Sequence, residues 1–164
     1  MRKILFVLLI LVLVVSGCSV SKSSTDLAIE NATSVLKTTF TVANEYVTEH
    51  EKQELMNSYH NEMKNLIYDD FYIHLEPVYM TMRSISETYN LDIEIGSMEF
   101  KEIIEDEDGI FIDFDVTLLM KSEQKNEEEI SISGQLAVSV LDGIAKSKHW
   151  KIFMGNVVEK YPPQ

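Results

Sequence analysis

Apolar positions recur along this chain with two different periods, and the change from one to the other falls at Leu91. From Asp26 onward, Ile29, Ala32, Leu36, Phe40, Ala43 and Val47 follow one another at steps of three or four, with Glu30, Lys37, Thr41 and Glu45 on the opposite side. That spacing predicts an amphipathic helix over residues 26–48, its start capped by Ser24, Thr25 or Asp26. Met56, Tyr59, Met63 and Leu66 or Ile67 predict a second helix over 51–68, which Asp69-Asp70 ends. Phe71 to Leu75 reads as a connecting segment. Pro77 fits a first helical turn, so a third helix is expected from Glu76 to Asn90, with Val78 or Tyr79, Met82, Ile85 and Tyr89 inward.

Beyond Leu91 the period is two. Leu91, Ile93 and Ile95 alternate with acids, then the phase slips by one after Gly96 to Met98 and Phe100, as a β-bulge would make it. Residues 105–109 form an acidic turn closed by Asp-Gly. The next strand places Ile110, Ile112, Phe114, Val116, Leu118 and Met120 on one face without a polar interruption. After a charged loop at 122–128, Ile130, Ile132, Gly134, Leu136, Val138 and Val140 repeat the pattern. Asp142-Gly143 turns the chain, Trp150, Ile152 and Met154 line a final strand, and a tail follows at Tyr161-Pro162-Pro163. The class is α+β: three N-terminal helices packed on a curved four-stranded antiparallel β-meander.

The start of the chain follows neither period. Arg2 and Lys3 precede an unbroken apolar run from Ile4 to Val15, then Ser16, Gly17 and Cys18. The run is too short for a helix that spans a bilayer, which needs ~20 residues, and has the form of a secretory signal with a cut site. Val15-Ser16-Gly17-Cys18 resembles the lipobox of bacterial lipoprotein precursors. The resemblance implies that Cys18 receives diacylglycerol and becomes the first residue of the mature, membrane-anchored protein. An ordinary signal peptide cut at Gly17 is the competing reading. The expected organisation is a signal over 1–17, a lipidated cysteine and flexible tether over 18–25, and one domain over 26–164, facing outward from the cell membrane.

Charge and cysteine count narrow the function classes. Without residues 1–17 the chain carries 12 Lys and Arg against 27 Asp and Glu, a formal charge of −15. No nucleic acid is expected as a partner, because phosphate recognition needs a basic face. Basic peptides, basic proteins or divalent ions suit this charge better. With one cysteine there is no internal disulfide, so stability must come from the core.

The order of elements, the kink at Gly96-Ser97 and the closing His149-Trp150-Lys151-Ile152 strand resemble the NTF2-like or cystatin-like α+β roll over residues 26–158. In that family a long helix lies in the concavity of a bent sheet. Some members use the cavity for chemistry, while lipoprotein and conjugation-machinery members are mostly non-catalytic, and many pair through the outer face.

An enzyme in such a roll needs an acid or base projecting into the concavity. The inward rows of the two middle strands contain none, and Asp113 and Asp115 alternate outward, which argues against acid–base catalysis. No cofactor is expected, and His50, His60, His74 and His149 lack metal-ligand spacing. Asp106 and Asp108 offer at most a weak calcium site. Tyr59, His74, Tyr79 and Tyr89 are candidates for the fringe of a pocket holding a small apolar molecule. Phe111, Leu119, Ala137, Leu141 and Phe153 are candidates for an interface on the outer sheet face, with a second copy or another envelope protein as partner. A non-catalytic interaction or structural module is the leading expectation. A carrier or enzyme for a small apolar molecule, bound between sheet and helices, is the alternative.

Overall fold

A computed structural model describes residues 22–45, 48–122 and 125–162. The signal segment, Cys18 and Val47 lie outside the described residues. Four α-helices and a four-stranded antiparallel sheet make up the described fold.

Helix α1, Ser24–Phe40, starts within the expected tether because Ser23 and Asp26 form a reciprocal capping box. Its buried residues Ala28, Asn31, Ala32, Val35, Leu36, Thr39 and Phe40 form one stripe, and the helix touches all four strands. It does not run to residue 48 as expected. At Val42 the backbone turns extended and exchanges two hydrogen bonds of 2.8 Å with Ile93. The β-branched pair Thr41-Val42 suits that conformation, and a long-range partner completes it.

Helix α2, Glu49–Met63, has a second capping box, Thr48 with Glu51, and stops before the expected residue 68. After a turn at 64–66, the chain is claimed by the sheet through a bridge between Ile67 and Ser147. The Ser147 amide donates to Leu66 O at 2.9 Å and the Tyr68 amide to Ser147 O at 3.0 Å, so this connector covers one sheet edge. A 3₁₀ turn, Asp69–Phe71, leads into helix α3, Tyr72–Tyr89. The expected connector 71–75 is therefore helical, because Phe71 and Leu75 extend the buried stripe of Tyr79, Met82 and Ile85 by one turn. Pro77 then sits inside the helix rather than in its first turn, leaving the Ile73 carbonyl without an intrahelical donor. Ile73 is 64% exposed, so water can serve that carbonyl. Asn90 closes α3 in the left-handed conformation, φ 55°.

The strands are β1 (Asp92–Asp106), β2 (Gly109–Ser122), β3 (Lys125–Leu141) and β4 (Ile144–Phe153), in the order β1-β2-β3-β4. Ile110, Ile112, Phe114, Val116, Leu118 and Met120 are all buried, each at 3% exposure or less, while their alternates are half-exposed. Register shifts fall at Gly96 and Lys101 in β1, and Lys148 in β4 is the extra residue where Ala137 and Val138 pair with His149 and Ser147. Such bulges bend a sheet and increase its twist. At Gly134 a Cβ would lie 2.4 Å from the Lys151 carbonyl and 2.7 Å from the Phe114 ring, so only glycine fits. Apart from Val42 at Ile93, no described strand pairs with the far edge of β1.

Two further departures are local. The expected loop at 122–128 is mostly strand, where Met120 is buried and Lys121 bridges Glu94 and Glu127. Between the final strand and the tail at Tyr161 lies a helix that was not expected, α4, Gly155–Lys160, whose Val157 is fully buried. Six residues are too few to show a helical period.

One buried polar side chain joins three elements. Asn31 Nδ2 donates to Leu66 O at 2.8 Å and to Ala145 O at 2.9 Å, and Asn31 Oδ1 accepts from Ser147 Oγ at 2.6 Å. Asn31→Ala should destabilise the domain by ~2–4 kcal/mol, since the Ala145 carbonyl and the Ser147 hydroxyl lose the amide in a dry site and Leu66 O is left with the Ser147 amide. Urea unfolding followed by circular dichroism measures this, and Ser147→Ala should cost less.

Candidate interaction surface on the outer sheet face

The residues that alternate away from the helices form cross-strand rows. Glu99, Asp115, Ser133 and Phe153 make one, and Glu102, Asp113, Gln135 and Lys151 the next. Asp113 and Asp115 point away from the concavity and are engaged. Gln135 Nε2 donates to Asp113 Oδ1 at 2.6 Å, and Lys101 is ion-paired with Asp115. That hydrogen bond to Asp115, more than charge alone, raises the Lys101 pKa. Lys151 Nζ lies 5.2 Å from the centroid of the Phe153 ring. Together these side chains border a shallow open depression of about 330 Å³. Of its charged groups, Lys101 and Asp115 form an ion pair, Asp113 meets the Gln135 amide, and Lys151 lies near the Phe153 ring.

The five expected interface residues do not form one cluster. Phe153, 58% exposed, belongs to the depression, and Leu141, 68% exposed, stands at the β3–β4 turn. Phe111 is half-buried beside its pair Ala137, which is 2% exposed and offers no surface. At Ala137 the neighbouring bulge alters the alternation, so Leu136, Ala137 and Val138 are buried in succession. Leu119 is spent locally, because its side chain fills the space a Cβ at Gly96 would need. It lies eight residues from Phe111 along β2, roughly 26 Å at the rise of a strand.

The four pocket candidates are also dispersed. Tyr59 and Tyr79 stack with centroids 4.1 Å apart and rings 8° from parallel, bridging α2 and α3. Tyr59 Oη lies 3.4 Å from Thr39 Oγ1, and burial raises its pKa far above the ordinary phenol value. Tyr79, whose pKa burial also raises, borders two open clefts. One, of about 320 Å³, lies between α2 and α3, and the other is shared with Lys37 and Thr38 of α1 and with Thr41 just beyond it. These clefts lie among the helices, not between helices and sheet as expected. His74 is exposed, 6.4 Å from the Phe71 ring, and does not meet the stacked tyrosines. Tyr89 is at the other end of α3, where its hydroxyl donates to Pro162 O at 3.2 Å and its ring meets Tyr161.

Lys101, Gln135 and Lys151 were not singled out by sequence. A signal for Lys101 exists, since the apolar phase slips between Phe100 and Ile103 as it does at Gly96. Asp106 Oδ1 accepts from the amides of Asp108 and Gly109 and so holds its own turn. Among the described residues no group of three or more His, Cys, Asp or Glu could hold a metal ion.

Comparison of the chain with protein-family models, with curated proteins and with solved structures finds no match.

Tyr161 offers a pH-dependent readout of how α4 is docked. Burial, followed by its 2.5 Å hydrogen bond to Glu128 Oε2, pushes its phenol from 10.0 up to about 12. A raised folded pKa favours the neutral form, so this contribution is complete below about pH 10 and lost as pH rises through about 12. The difference in thermal midpoint between the parent and Tyr161→Phe should stay constant to about pH 10 and shrink by pH 12.

Proposed function

We propose that the chain is a membrane-tethered lipoprotein on the extracytoplasmic face. Its domain is a non-catalytic protein-interaction or structural module with an NTF2-like or cystatin-like roll. The observation that carries this reading is the dry inner face of the sheet. Each inward residue of β2 is aliphatic, aromatic or methionine, and each is buried against the helices. A reaction between sheet and helices would need a titratable group where none stands among these rows. The bulged meander with α1 laid across its inner face supports the roll. The apolar run before Ser16-Gly17-Cys18 supports the tether.

On this reading the outer face meets the partner, a second copy or another envelope protein, around Phe153 and Lys151. Phe153 supplies an exposed aromatic anchor, and the polar side chains beside it, Lys151 and Gln135 among them, supply a polar rim. The acidic balance of the mature domain favours a partner with basic groups.

Two measurements test the two halves separately. Cys18→Ser should move the protein from the membrane fraction to the medium or soluble fraction, and mass spectrometry should find a diacylglycerol adduct on the parent's Cys18. Phe153→Asp should weaken association at least tenfold by analytical ultracentrifugation or envelope pull-down, with an unchanged melting temperature. Leu119→Asp is unsuitable for this purpose, because Leu119 packs over Gly96. A parent domain that stays monomeric and captures no envelope protein overturns the interaction reading.

A further inference from the structure

The hairpin between β3 and β4 ends in an unusual tip for so acidic a domain. Asp142 and Gly143 both have positive φ, 51° and 77°, and form a tight two-residue turn. The paired residues on either side, Leu141 and Ile144, are 68% and 61% exposed. They are aliphatic cross-strand partners, exposed at the end of the hairpin and away from the core.

The first described residues, at the start of α1, lie at the same end of the molecule. Asn31 is fastened to Ala145 and Ser147, directly beside the tip, while the other end of α1 reaches Ile93 at the far end of the sheet. Ser24 is seven residues before Asn31, so the helix runs on for ~10 Å in the direction of the hairpin. From Cys18 to Ser23 the chain has five residue steps, which extend at most ~18 Å. Whatever holds Cys18 at a bilayer therefore holds this end of the domain close to it.

We propose that Leu141 and Ile144 form a second membrane contact, inserting into the lipid surface beside the anchor and setting which way the domain faces. The inference rests on the tethering reading above. Two side chains are too small a patch for a stable protein interface, which covers ~800 Å² per partner, but they suit shallow insertion. Tyr68 is 37% exposed at the same edge, with Lys146 Nζ 5.9 Å from its ring centroid. Tyrosine and lysine are residues that accommodate the headgroup layer. Asp142 and the nearby Glu107-Asp108 turn oppose anionic lipid, so the contact is apolar in origin and should persist in salt. Insertion of this tip would carry the Phe153 depression, at the other end of β4, away from the bilayer toward a partner.

The test couples the mature chain through the Cys18 thiol to a maleimide lipid in phosphatidylcholine vesicles with brominated acyl chains. The parent's only tryptophan, Trp150, is buried and supplies the background. An added tryptophan at the tip, Ile144→Trp, should lose at least half of its emission relative to unbrominated vesicles, in low and high salt alike. One on the outer face, Ser131→Trp, should lose none. Adding Leu141→Asp to Ile144→Trp should restore the emission. Equal quenching at both positions, or none at 144, overturns the proposal. Because the coupling is chemical, this result is independent of what a cell attaches to Cys18. Mass spectrometry of the native protein decides that question separately.

Discussion

The placement of everything on the inner face depends on one buried amide. Asn31 satisfies both of its donors and its acceptor on backbone and hydroxyl groups of the α2–α3 connector and β4. Each bond adds only ~1 kcal/mol net, but an unmet partner in a dry site costs more, so the arrangement tolerates little sliding. Fixing α1 at this point and at the Val42–Ile93 bridge leaves the helix a single path across the sheet. The apolar rows of β2 and β3 then have one surface to press against.

Curvature lets one helix cover so much sheet. The bulges at Gly96, Lys101 and Lys148 bend the strands around α1, and Gly134 lets the Phe114 ring occupy the space its own side chain would fill. The outer face has the opposite chemistry. Its carboxylates meet lysines and an amide within hydrogen-bonding range, and the apolar residues among them are few and separated. The two faces of one sheet thus differ, the inner one apolar and buried and the outer one polar and open.

How much of this was legible from sequence depended on how local each cause was. The burial of every second residue from Ile110 to Met120, the bulge at Gly96 and the Asp142-Gly143 turn are each written in a few neighbouring positions, and each was readable. The end of α1 was not, because Val42 leaves the helix for Ile93, which is distant in the chain. The helical state of residues 71–75 was hidden by Pro77, whose cost water can offset at an exposed carbonyl. Ala137 and Leu119 looked like surface residues by alternation. A bulge on the neighbouring strand and a glycine opposite changed their surroundings, and neither effect is visible in the strand that carries them. The candidate site suffered more than the fold for the same reason, since its residues come from all four strands, whose pairing the pattern alone does not give.

The outer edge of β1 has a further consequence. On the proposed tethering, copies of the domain would share a plane, where confinement to two dimensions multiplies encounters between identical neighbours. A long open strand edge under those conditions invites stacking into fibrils. Here the edge is interrupted twice by extra residues and carries Glu94, Glu99, Glu102, Glu105 and Asp106 along its length. The acidity that looks like mere solubility in a dilute sample would act, on a surface crowded with tethered copies, as a guard against templated aggregation.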